Sequence, residues 1–128
     1  MTGNRESSSG IMEVRMTRLG DVPVLETEGE IDHNTCRVVD DALQDALTAD
    51  TRIVLFDLSR VSYIDSGGLS VLFSATRRLR DDGWLGVIGA NANVRRLLEL
   101  VGLLADPSFR SFADKLAAEA ALAGETGV

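Results

Sequence analysis

The sequence predicts a single α/β domain with a mixed β-sheet and helices packed on it, and three observations carry that prediction. Strand-like apolar segments alternate with segments of helical period along the chain, which implies crossover connections and helices laid on a sheet. Only the first two strand-like segments are joined tightly enough to be antiparallel. The chain has 128 residues, 45% hydrophobic and 26% charged, the size and balance of one domain with its own core.

Each element has its own signature. Residues 1–10 (MTGNRESSSG) lack periodicity and are expected to be a flexible tail. From Ile11 the chain alternates, with Met12, Val14 and Met16 on one side and Glu13, Arg15 and Thr17 on the other. That is the pattern of a half-buried strand. Gly20-Asp21 turns the chain into a second strand over about 23–30, with Pro23 expected at a strand start or an edge. Asp32-His33-Asn34-Thr35 clusters helix-capping residue types, and Val39, Leu43, Ala46 and Leu47 then predict a helix over about 35–49. Residues 53–56 (IVLF) read as a strand covered on both faces.

The apolar segment 61–64 leads into Asp65-Ser66-Gly67-Gly68. Leu69, Leu72, Phe73, Thr76 and Leu79 follow with helical period, and Gly83 stands where a C-cap belongs. Residues 85–89 predict a strand. Asn91 or Asn93 then caps a helix carrying Val94, Leu97, Leu98 and Val101, which Gly102 and Leu103 end in the manner of a Schellman motif. Asp106-Pro107 turns the chain toward a short edge strand at 109–112. An Ala-rich helix over 113–123 and a tail over 124–128 complete the expectation, with the domain itself spanning 11–123.

Composition excludes several function classes. Thirteen basic and twenty acidic side chains give a net charge of −7, which argues against nucleic acid as a partner. Residues 1–52 hold eleven of the acids and five of the bases, so the N-terminal part suggests an acidic face, or simply solubility. No apolar run approaches the roughly 18 residues of a membrane-spanning helix, and the N-terminus lacks the apolar core of a signal peptide. Cys36 and His33 are the only cysteine and histidine, too few for a disulfide framework or a closed zinc site. No metal, no cofactor, no membrane contact and a cytoplasmic location are expected.

The segment carrying chemistry is Ile64-Asp65-Ser66-Gly67-Gly68-Leu69, which places a hydroxyl at a helix start among free N–H groups and a favourable dipole. Such a serine can cap the helix, act as a nucleophile or accept a phosphoryl group. A nucleophile elbow needs Gly at position 64, where this chain has Ile, and the lone histidine precedes the serine. Phosphate-cradling glycine loops are also missing. The paired acids Asp40-Asp41 and Asp81-Asp82, and the arginines at 77, 78, 80, 95 and 96, fit solvated helix faces. An enzyme is not expected.

The stretch Phe56-Asp-Leu-Ser-Arg-Val-Ser-Tyr-Ile-Asp-Ser-Gly-Gly-Leu69 resembles the STAS domain of sulphate transporters and anti-sigma factor antagonists, and in particular the stand-alone bacterial antagonists. Gly29-Glu30-Ile31-Asp32, Asn93-Val94-Arg95-Arg96-Leu97-Leu98 and Val101-Gly102-Leu103 agree in order and spacing, so the resemblance runs over about residues 11–122. It implies that Ser66 is the phosphoacceptor. It further implies a docking rim formed by Glu30, Asp32, His33, Asn34, Thr35, Asp65, Gly67, Gly68 and Leu69. The implied partner is an anti-sigma factor with serine kinase activity, which holds the nucleotide, and a phosphatase reverses the modification. Position 67, commonly Ser, Thr or Ala in the family, is Gly here, which leaves Ser66 as the one hydroxyl and predicts a looser first turn. Two alternatives are a STAS subunit docking on a transporter ATPase and a small-molecule or lipid-binding module, the latter requiring an apolar cavity of ligand size.

Overall fold

The computed structural model describes residues 5–8 and 12–126. Strands β1 (Arg5–Ser8), β2 (Met12–Leu19), β3 (Val22–Ile31), β4 (Ile53–Ile64), β5 (Trp84–Ile88) and β6 (Phe109–Phe112) lie in that order in one sheet. The first three are antiparallel neighbours and the last four parallel ones, as a mixed sheet requires. Helices α1 (Cys36–Ala46), α2 (Ser66–Leu79) and α3 (Ala92–Leu100) make the crossovers, and α4 (Lys115–Thr126) ends the fold.

Stepping in one direction across a parallel sheet with crossovers of one hand places every crossover helix on the same face. Val39 and Leu43 of α1, Val71 and Leu72 of α2, and Val94 and Leu98 of α3 accordingly share one core with Val14, Leu25, Phe56, Leu58 and Val87. Among the described residues the opposite face is covered by α4, where Ala118 packs with Val24, Leu55, Trp84 and Ile88. Beyond α4 that face carries Glu13, Arg15, Glu26, Glu28, Asp57 and Arg60, which with Lys115 of α4 line a concavity of about 240 Å³. This concavity is polar rather than apolar.

Several expectations are corrected. Residues 5–8, assigned to a flexible tail, form β1, because Arg5 to Ser8 find antiparallel partners from Met16 to Glu13. The rest of that tail and Ile11 lie outside the described residues, as do residues 127–128 of the second tail, whose first three residues extend α4. β4 is one strand of twelve residues instead of two apolar pieces, since Leu58 continues the buried alternation between exposed Ser59 and half-buried Asp57. Gly83 is not a C-cap. It is needed because a Cβ there would lie 1.6 Å from the Arg52 carbonyl oxygen. Gly102 does take the left-handed conformation at the end of α3, with φ of 87° and Leu103 buried beside it.

Candidate functional site

Ile31 pairs with Ile64 in the parallel ladder, so β3 and β4 end together. Asp32 and Asp65 therefore leave the sheet side by side at its carboxyl edge, where open α/β sheets place their ligand sites. The Asp65 amide still donates to the Ile31 carbonyl at 3.1 Å, which stitches the two loops at their origin.

Asp32 works within its own loop. Its Oδ1 accepts from the Asn34 and Thr35 amides at 2.9 and 3.0 Å. The Thr35 hydroxyl accepts from the Asp32 amide at 2.9 Å and donates to the Glu30 carbonyl at 2.6 Å. This closed turn delivers the chain into α1, with the Cys36 amide on the Asp32 carbonyl at 2.8 Å.

Asp65 works in two directions. Its Oδ1 caps α2, accepting from the Gly67 and Gly68 amides at 2.7 and 3.3 Å. Its Oδ2 crosses to the other loop, taking the His33 amide at 3.2 Å and meeting His33 Nδ1 at 2.8 Å. A carboxylate only accepts, so Nδ1 is the protonated ring nitrogen in this contact. Partial burial pushes the Asp65 carboxyl up. The His33 ring and the amides of Gly67, Gly68 and His33 outweigh it, and the acid lies below its ordinary value of 3.8.

The glycines let the loops touch. A Cβ on Gly68 would come 2.7 Å from the Ile31 carbonyl oxygen and 2.8 Å from Ile64 Cγ2, so side chains are excluded there. A Cβ on Gly67 would stand 3.1 Å from both Cα and N of His33. The first turn of α2 is therefore tied down by Asp65 and seated against the His33 backbone, not left loose by its glycines.

Ser66 opens α2 and is exposed, and its hydroxyl makes no hydrogen bond among the described residues. The capping role left open for it belongs to Asp65. Glu30, His33 and Asn34 are also exposed, while Asp32, Asp65, Gly67 and Leu69 are half-buried. Thr35, at 1% exposure, and Gly68 are buried. They were expected to meet a partner, but they face inward and shape the loops. The sequence reading missed Tyr63, half-exposed beside Glu30 in the β3–β4 register at the same edge. Its signal was the polar run Ser59, Arg60 and Ser62, which marks the end of β4 as solvent-facing on one side. Among the described residues no helix is long and apolar enough to cross a membrane, and no three His, Cys, Asp or Glu side chains are grouped to hold a metal ion.

A family model described as "Mlab, STAS domain" matches residues 14–105. The anti-sigma-F factor antagonist RsfB of Mycobacterium tuberculosis is 31% identical over 91 residues, covering 71% of this chain and 73% of that protein. The anti-sigma-B factor antagonist of Listeria monocytogenes is 37% identical over 76 residues, 59% of this chain and 67% of the relative. The crystal structure of an anti-sigma factor antagonist from Mycobacterium paratuberculosis superposes with a TM-score of 0.71 at 25% identity, over 81% and 89% of the two chains. With its mixed sheet and its paired aspartate loops at one edge, the chain belongs to the STAS-domain family of anti-sigma factor antagonists.

Proposed function

We propose that this protein is a cytoplasmic partner switch that binds an anti-sigma factor with serine kinase activity, frees a sigma factor by doing so, and is released when Ser66 is phosphorylated. The observation that carries this reading is the Ser66 hydroxyl itself, exposed at the rim and not used by the cap of its own helix. The exposed Glu30, His33 and Asn34 and the half-buried Asp32, Asp65, Gly67 and Leu69 form the docking rim, and Tyr63 joins them. The chain supplies the acceptor oxygen, and the kinase supplies ATP and the catalytic groups. A phosphatase resets the switch.

The physics of the modification separates binding from folding. A phosphoryl group adds about −1.5 to −2 charge at pH 7. At a helix N-terminus that charge is tolerated by the fold. At a docking surface beside ionised Asp65 it has to be desolvated against a partner shaped for a hydroxyl. A penalty of about 3 kcal/mol weakens binding on the order of 100-fold, enough to switch partners. The test is to incubate the protein with its candidate kinase and ATP and map the phosphate by mass spectrometry. Phosphate on Ser66, and loss of kinase binding by the phosphorylated chain, are expected. Equal binding by both forms sinks the reading. Co-purification with a transporter ATPase instead would favour the alternative of a STAS subunit docking on that ATPase.

A further inference from the structure

His33 is the chain's only histidine, and across residues 30–36 and 63–70 it is the only side chain able to carry positive charge. Its ring is 71% exposed and anchored at one end, with Nδ1 2.8 Å from Asp65 Oδ2 and the backbone amide 3.2 Å from the same oxygen. The two ring nitrogens diverge, so Nε2 is directed away from that contact. Gly67 brings the His33 backbone against the first turn of α2, and Ser66 sits between Asp65 and Gly67 in that turn.

A phosphoryl group on Ser66 enters crowded electrostatics. Helix amides normally receive such an anion. Here the Gly67 and Gly68 amides already serve Asp65 Oδ1. Asp65 is held ionised, and Asp32 and Glu30 add further acids at this edge. Cys36 neighbours His33 through its Sγ, 3.7 Å from the His33 carbonyl oxygen, and carries no positive charge. Arg37, the next cation along the chain, lines the α1–α2 groove with Asp40 and Asp41.

We propose that His33, as an imidazolium, is the counter-charge of the phosphoryl group on Ser66. Nδ1–H stays on Asp65 while Nε2–H is offered to the phosphate, so the β3–α1 loop senses the state of α2. This makes His33 a positioning residue, and the inference rests on Ser66 being the phosphoacceptor.

The test installs phosphoserine at position 66 of the full chain by codon suppression and follows its second ionisation by phosphorus NMR. That ionisation lies near pH 6 for the free group. A cation in contact is expected to lower its midpoint by roughly one pH unit relative to His33→Asn, which keeps a donor for Asp65 but loses the charge. His33→Lys, which restores a positive charge, is expected to recover part of the shift. Equal midpoints in the native and His33→Asn chains overturn the proposal. A Lys variant that behaves like Asn does the same, and it keeps the test decisive should Asn disturb the loop. Because the phosphate is installed directly, these results speak to His33 alone. Failure of a kinase to modify Ser66 would count against the switch and leave this measurement standing.

Discussion

Asp32 and Asp65 stand at matching places, each the first residue after a parallel strand and each ahead of a helix, yet their carboxylates do different work. The Asp32 carboxylate makes its hydrogen bonds within the three residues that follow it. Asp65 caps its own helix with one oxygen and grips a loop 32 residues away with the other. One loop is self-contained, and the other holds both together. If Ser66 is modified, the modified residue is attached to the loop that does the holding, so a change there reaches both halves of the edge.

The sharpest way to break the pairing is steric. Gly68→Ala forces a Cβ to within 2.7 Å of the Ile31 carbonyl oxygen, a backbone atom that cannot swing aside. The helix start must lift from β3, at a cost of about 2 kcal/mol. Denaturant unfolding checks this, and a variant as stable as the native chain would show that the two loops are not in obligatory contact.

Asp65 comes next, and its two roles can be separated. Asp65→Ala removes cap and clasp together and is expected to lower the melting temperature by about 5 °C. Asp65→Asn keeps an acceptor for the α2 amides but turns a donor toward His33, so it tests the clasp alone. The pH dependence has a definite sign. Because the folded acid titrates below its ordinary value of 3.8, its contribution is fully present above that pH and is lost as pH falls through the lower folded value. The native chain is thus expected to lose more stability below about pH 4 than Asp65→Asn does. Parallel acid-unfolding curves would refute the clasp.

Asp32→Ala is expected to cost less, about 1 kcal/mol, since it removes a local turn and leaves the Asp65 contacts in place. Melting curves distinguish the two aspartates. A larger loss at Asp32 than at Asp65 would reverse the ranking of the loops.

This difference also marks what was legible in the sequence. Capping is local, so Asp32-His33-Asn34-Thr35 announced a helix start, and period and alternation placed the elements on either side. The identity of the α2 cap was not legible, because Asp65 and Ser66 are both good capping types and only backbone geometry chooses between them. Nor was the clasp, which depends on the register Ile31 to Ile64 between strands far apart in the chain. The inward roles of Thr35 and Gly68 escaped for the same reason, since contact partners outside the local segment decide burial. β1 is short, polar and stabilised by its neighbour, so it carries almost no local signal.

The smallest expected effect on stability falls on the residue with the largest proposed role. If Ser66 capped α2, Ser66→Ala would cost about 1 kcal/mol. In the structure Asp65 accepts the amides that a serine cap would take, and the Ser66 hydroxyl is exposed without a partner among the described residues. Alanine is moreover the better helix former at that position. The variant is therefore expected to unfold within about 0.5 kcal/mol of the native chain. Its binding to the kinase should persist while phosphate incorporation disappears. A clear destabilisation would return Ser66 to a capping role and place the rim's working hydroxyl elsewhere. Unchanged stability with lost phosphorylation would leave position 66 with no structural duty, which is what a residue kept for modification should look like.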